Sequence, residues 1–186
     1  MRAGEPRTLD AAVQSADSAL RSSSWSKANP ATRESLLRRL ATLIDENIET
    51  LAYPQSLDTG MPLSVSRNLD IAGAADVVRY MSGWPTKIAG RTMTFESPGG
   101  QPAFGYTRRE PVGVVGGIIP WNVPFMLAIW KVAPSLAGRM HHCAEACRRR
   151  GASGIVSGRI GPLCGLPAGC RERRHRDRAR SRSAAH

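Results

Sequence analysis

Leu36, Leu37, Leu40, Leu43, Ile44, Ile48 and Leu51 recur at helical spacing. Their stripe predicts one amphipathic helix, opened by Asn29-Pro30 with proline near the first helical position and ended near Pro54. Upstream, Val13, Ala16 and Leu20 behind Asp10 predict a shorter helix capped by that aspartate, and Trp25 after a serine run reads as a loop with an aromatic anchor. Asp58-Thr59-Gly60-Met61-Pro62 is a turn. Beyond it Leu63, Leu69, Ile71, Ala74, Val77, Val78 and Met81 supply the apolar face of a helix over 62–82, stopped by Trp84-Pro85. The pattern then changes. Residues 92–96 and 103–109 flank Pro98-Gly99-Gly100, as two strands flank a turn. Residues 112–119 are nearly continuously apolar, as in a strand buried on both faces. Residues 125–136 return to helical spacing, and a strand followed by a helix predicts a parallel α/β unit. The expected fold class is α/β.

A length of 186 residues fits one domain with a real core. No apolar run is long enough to span a bilayer, and Met1-Arg2-Ala3-Gly4-Glu5-Pro6-Arg7 lacks the apolar stretch of a signal peptide, so the expectation is a cytoplasmic protein without membrane association. The formal charge of +11 is unevenly spread. Residues 1–138 hold 14 Lys and Arg against 12 acids, a net +2, whereas residues 139–186 hold 12 Arg against 3 acids, a net +9. The second stretch also holds all four cysteines and all four histidines, and it has no Lys, Asn, Gln, Thr, Phe, Tyr or Trp. Two compositions meet near Gly138.

The run Arg109-Glu110-Pro111-Val112-Gly113-Val114-Val115-Gly116-Gly117-Ile118-Ile119-Pro120-Trp121-Asn122-Val123-Pro124 carries the most specific signal. It resembles the start of the cofactor-binding sheet of the NAD(P)-dependent aldehyde dehydrogenase superfamily. The resemblance covers about residues 8–138. Trp25-Ser26, Arg33, Ser56-Leu57-Asp58-Thr59-Gly60 with Pro62, Gly83-Trp84 and Gly90 look like its N-terminal region, and Trp130-Lys131-Val132-Ala133-Pro134-Ser135-Leu136-Ala137 follows in its order. Gly83-Trp84-Pro85-Thr86-Lys87 leans towards the NAD-dependent branch with broad or phenylacetaldehyde-type substrates. The implied fold is a set of N-terminal helices, an oligomerisation-type β-hairpin over about 92–110, and the first strand–helix unit of an incomplete Rossmann-like NAD(P)-binding domain. The implied chemistry is oxidation of an aldehyde to an acid with NAD or NADP, in a homo-oligomer. A cysteine thiolate attacks the carbonyl, hydride leaves to the nicotinamide, and a glutamate helps water release the thioester. Asn122 matches the asparagine that shares the oxyanion with the cysteine's N–H. A neutral amide suits that task because it donates without needing a set protonation state. Ile119, Pro120, Trp121 and Asn122 match cofactor-binding positions. Read without the resemblance, Trp121 is a core aromatic and Asn122 a cap of the following helix.

Past Ala137 the family continues Ala-Gly-Cys/Asn-Thr-Val-Val/Leu-Lys-Pro-Ala-Glu, with a lysine and glutamate for the adenosine ribose. This chain continues Gly138-Arg139-Met140-His141-His142-Cys143. Reading the codons of residues 140–147 one base later permits Cys-Thr-Thr-Val-Leu-Lys-Pro-Ala, the family continuation. The same shift permits Gly-Phe-Pro-Pro-Gly over 165–169 and Val-Asn-Val-Val-Thr-Gly-Thr-Gly over 171–178. A frameshift at or just before Gly138 is inferred, and residues 139–186 are expected to be a basic, disordered, out-of-frame tail. His141, His142, Cys143 and Cys147 stand near metal-ligand spacing, but as an out-of-frame product they are expected to hold no metal. No cysteine stands in the nucleophile's context, so the chain is expected to be a truncated form that binds no cofactor and lacks dehydrogenase activity. Two other classes remain open. One is a nucleic-acid-associated protein acting through the arginine run 171–182, although the lack of aromatic interleaving makes nucleic acid a weak partner. The other is an interaction fragment docking on full-length dehydrogenase subunits through residues 92–110.

Overall fold

The computed structural model describes residues 13, 14, 16–18, 21 and 27–146. Asp10, Leu20, Trp25-Ser26, Cys147 and the run 171–182 lie outside the described residues. So do the side chains of residues 141–146. Within the first expected helix, residues 13, 14, 16–18 and 21 are helical and Ala16 is buried.

The first long helix, α1, is Pro30–Glu46. The Asn29 side chain accepts from the Thr32 N–H at 2.8 Å and Pro30 stands at the first helical position, as the sequence predicts. The apolar stripe does not run on as one helix to Pro54. Asn47 breaks it with φ −113° and ψ 16°, and α2 spans Ile48–Thr59 with Pro54 inside. What ends α2 is Gly60, at φ 78°, a left-handed conformation that a β-carbon disfavours. The next helical stretch, numbered together as α3, joins Leu63–Val65, a π-helical turn Ser66–Ile71 and Ala72–Ser82. Ile71, Ala74 and Val78 are buried, but Leu63 and Leu69, expected on the same stripe, are exposed.

Thr92–Glu96 (β1) and Pro102–Tyr106 (β2) pair antiparallel, with Thr92 opposite Tyr106. At the foot of this hairpin the Arg91 N–H donates to Thr107 Oγ1 at 2.8 Å and the Thr107 N–H to the Arg91 carbonyl at 2.8 Å. Gly90 lies so close that a β-carbon on it falls 1.7 Å from the Thr107 carbonyl oxygen. Val114–Ile119 (β3) leads through a short loop into Pro124–Ala137 (α4), and His141–Ala146 (β4) returns parallel to β3, with Val114 opposite His141 and Ile119 opposite Ala146. This β-α-β unit bears out the α/β class. Two expectations are corrected. β3 is covered on one face only: Ile119 is buried and Ile118 is 82% exposed, because α4 packs on a single side. One edge of β3 is paired, by residues beyond Gly138 that were expected to be without structure.

The core lies between α1, α2, α3 and α4. Leu37, Leu40, Ile44, Leu51, Ile71, Val78, Phe125, Ile129 and Leu136 meet there. Each contributes on the order of 1.5–3 kcal/mol by leaving water. α4 is shared between this helical core and the sheet, so the core sets where the C-terminal end of β3 stands.

Candidate active site

β3 ends at Ile119 and α4 begins at Pro124. Residues 120–123 therefore form a loop at the carboxyl ends of two parallel strands, the edge where open α/β sheets take their ligands. Ile119 is buried, whereas Pro120, Trp121 and Asn122 are exposed. The structure does not support the plain alternatives for the last two. Trp121 is 64% exposed and is no core aromatic. The residue at the N-cap of α4 is Val123, which gives no side-chain cap, so Asn122 is not capping the helix. Among the described residues the Asn122 amide makes no hydrogen bond. It carries two N–H donors at the open end of the sheet.

The cap of α4 comes from elsewhere. The Met126 N–H donates to Asp70 Oδ1 at 2.7 Å, and Gln55 Nε2 donates to Asp70 Oδ2 at 2.6 Å. Asp70 and Gln55 are both fully buried. Burial pushes the Asp70 carboxyl above the ordinary carboxylate range, and the hydrogen bonds from Met126, Gln55 and Phe125 partly offset it. Sequence reasoning missed Asp70. A signal was present: Asp70, Ala74 and Val78 fall four residues apart, so an acid sits in register with a buried stripe.

Arg33, in the first turn of α1, is buried, and its Nη1 donates to the Ala28 carbonyl at 2.6 Å. Burial, and after it the charge of Arg139, pull its guanidinium below the ordinary value. Arg139 is the one non-glycine with positive φ, +63°, among the described residues. No group of three or more His, Cys, Asp or Glu among the described residues can hold a metal. The His141, His142, Cys143 and Cys147 ligand set falls on side chains outside that description. No helix among the described residues is long and apolar enough to cross a membrane.

The profile described as "Aldehyde dehydrogenase family" matches residues 1–170. The chain belongs to the aldehyde dehydrogenase family. The match runs past the composition change at Gly138. Phenylacetaldehyde dehydrogenase of Pseudomonas fluorescens is 35% identical over 168 residues, which is 89% of this chain and 34% of that protein. An aldehyde dehydrogenase of Aspergillus niger is 36% identical over 163 residues, covering 88% of this chain and 32% of its own. The structure of the NAD+ complex of an aldehyde dehydrogenase from Bacillus cereus superposes with a TM-score of 0.79 at 37% identity, over 87% of this chain and 32% of that one. The chain thus spans about a third of the length of these relatives.

Proposed function

We propose that the protein of which this chain is a part oxidises an aldehyde to a carboxylic acid with NAD(P)+, and that Asn122 donates to the oxyanion. The observation that carries this reading is the free, exposed Asn122 amide at the carboxyl edge of the β3–β4 sheet. Ile119, Pro120 and Trp121 lie along the same edge and are the residues here that fit a bound dinucleotide, Ile119 as buried floor and Trp121 as exposed apolar wall. The dinucleotide, when bound, supplies the hydride acceptor. The work of this chain's own residues is to present the neutral amide and to keep an apolar surface beside it.

We further infer that the coding sequence slips its frame at or just before Gly138, so that residues 1–186 carry no family nucleophile and turn over no aldehyde. The backbone at the junction supports this. Met140 N–H donates to the Ser135 carbonyl at 2.8 Å and Arg139 N–H to the Leu136 carbonyl at 3.1 Å, which makes Arg139 the left-handed residue of a helix-ending motif that favours glycine. The codons of Arg139 and Met140, read one base later, permit glycine there. Arg139 also sets a like charge against buried Arg33. The strand His141–Ala146 reads His-His-Cys-Ala-Glu-Ala, a poor strand sequence, where the shifted frame permits Thr-Thr-Val-Leu-Lys-Pro.

Resequencing codons 134–145 tests the slip. Absorbance assays test the chemistry. The 186-residue chain should form no NADH from any simple aldehyde. In the protein read through the restored frame, Asn122→Ala should lower kcat by about 10²–10³-fold, the loss typical of one oxyanion donor. NADH from the 186-residue chain, or an undiminished kcat for Asn122→Ala, sinks the respective half.

A further inference from the structure

The first turn of α4 has backbone donors that no carbonyl of its own helix can satisfy. Pro124 brings none. Leu127 N–H donates to the Val123 carbonyl at 3.2 Å. Met126 N–H goes to Asp70 Oδ1 at 2.7 Å, and the Phe125 N–H bears on the same carboxylate. The cap is thus delivered by a residue 56 positions earlier in the chain, from the π-helical turn of α3. The other oxygen of that carboxylate is held by Gln55 of α2 at 2.6 Å. Close packing reinforces the joint: a β-carbon on Gly73 would meet Met126 Sδ at 3.1 Å. The loop 120–123 has little anchorage of its own, with Pro120, Trp121 and Asn122 exposed. Its far end is the first turn of α4.

We propose that Asp70, seated by Gln55, is a positioning residue for the 120–123 loop, fixing the start of α4 and through it the direction in which the Asn122 amide projects. A carboxylate suits the place because one oxygen accepts from the Met126 N–H while the other accepts from Gln55, and its charge lies at the positive end of the helix dipole. The catalytic meaning rests on the oxyanion reading of Asn122, but the positioning itself is measurable without turnover.

The test is NMR on the whole 186-residue chain. In the wild type, the Met126 amide and the Asn122 side-chain NH₂ should titrate with the midpoint of the Asp70 carboxyl carbon, while the Leu136 amide at the far end of α4 stays still. The groups facing Asp70 are Gln55 from α2 and the N–H groups of Phe125 and Met126 from α4. Among the described residues it makes no ion pair, so the midpoint belongs to one group. Asp70→Ala should raise amide exchange at Phe125 and Met126 by about tenfold or more, the loss of a buried hydrogen bond, with Val132 near its wild-type rate. Asp70→Asn should stay within about threefold, because an acceptor remains for Met126 and the otherwise unpartnered Gln55 Oε1 can turn to the new donor. Asn122 signals that ignore the Asp70 titration overturn the proposal, as does exchange that rises equally along all of α4. If Asp70→Ala does not fold, the wild-type titration decides alone. The oxyanion reading fails separately, through an undiminished kcat for Asn122→Ala while the titration still links Asp70 to Asn122.

Discussion

Arg139 holds φ at +63° at the end of α4, where its β-carbon meets the backbone, and its charge stands near that of buried Arg33. Arg139→Gly should therefore raise stability by about 1 kcal/mol, read as a higher urea midpoint at an unchanged slope. An unchanged or lowered midpoint contradicts the strain. Asp70 gives a prediction of a different kind. Its folded-state proton affinity is raised, so the native state binds the proton before the unfolded chain does, and stability from this group grows as pH falls. Relative to Asp70→Asn, the wild type should gain stability as pH drops through the raised Asp70 value towards the ordinary carboxylate range. Above that window the difference should be flat. Denaturation curves of both proteins across the acid range check the sign, and a wild type that loses ground on acidification refutes it. Neither residue was legible beforehand in its role. Arg139 looked like one of many tail arginines, and the +4 spacing of Asp70 to Ala74 and Val78 was visible but its partner, a helix start 56 residues away, was not.

At the scale of elements, what the periodicity carried is what local chemistry controls. Asn29-Pro30 starts α1, the glycine turn separates β1 from β2, and the strand–helix alternation gives β3 and α4. Where the reading failed, the backbone departs from a regular helix. The stripe from Leu36 to Leu51 is continuous in spacing, yet α2 starts afresh after Asn47, whose amide nitrogen donates to the Leu43 carbonyl at 2.8 Å. Pro54 sits inside α2. The π turn is silent in the sequence, because an extra residue per turn leaves no compositional mark, and Leu69 within it stands exposed while Ile71 beside it is buried. At the loop, the resemblance located Ile119 to Asn122, but only the structure shows Trp121 outside the core and Asn122 outside the cap. The hairpin tests how far one contact holds an element. A two-stranded hairpin is marginal alone in water, and here its foot depends on Gly90 lying against Thr107. Gly90→Ala should part the Arg91–Thr107 hydrogen bonds and leave the amides of β1 and β2 exchanging about tenfold faster or more, with the α1 amides unchanged. Equal protection in both proteins shows that the close approach does not hold the hairpin.

For the whole molecule, the weak joint is the return from α4 into the sheet. Among the described residues up to Ala137, α1 is capped by Asn29 and α4 by Asp70, the helices share one core, and β3 docks under α4. The backbone beyond Gly138 still follows a β-α-β path, with a left-handed turn at Arg139 and β4 in register from Val114 to Ile119, but the residues on it suit that path poorly. The proposed frame slip would account for both facts, since it changes the side chains while the preceding unit still directs the chain. It follows that replacing residues 139–147 by Gly-Cys-Thr-Thr-Val-Leu-Lys-Pro-Ala should strengthen the molecule. Glycine at the left-handed position is worth about 1 kcal/mol and the β-favouring Thr, Thr and Val at 141–143 about as much again, so the β3 amides opposite those positions should exchange about 30-fold more slowly. Protection should rise in α4 too, because it packs on both strands. The hairpin, which touches neither strand's ladder, serves as the internal control. If the exchanged segment leaves β3 and α4 as labile as before, the fit between shifted residues and this backbone is coincidental, and residues 139–147 belong where they stand.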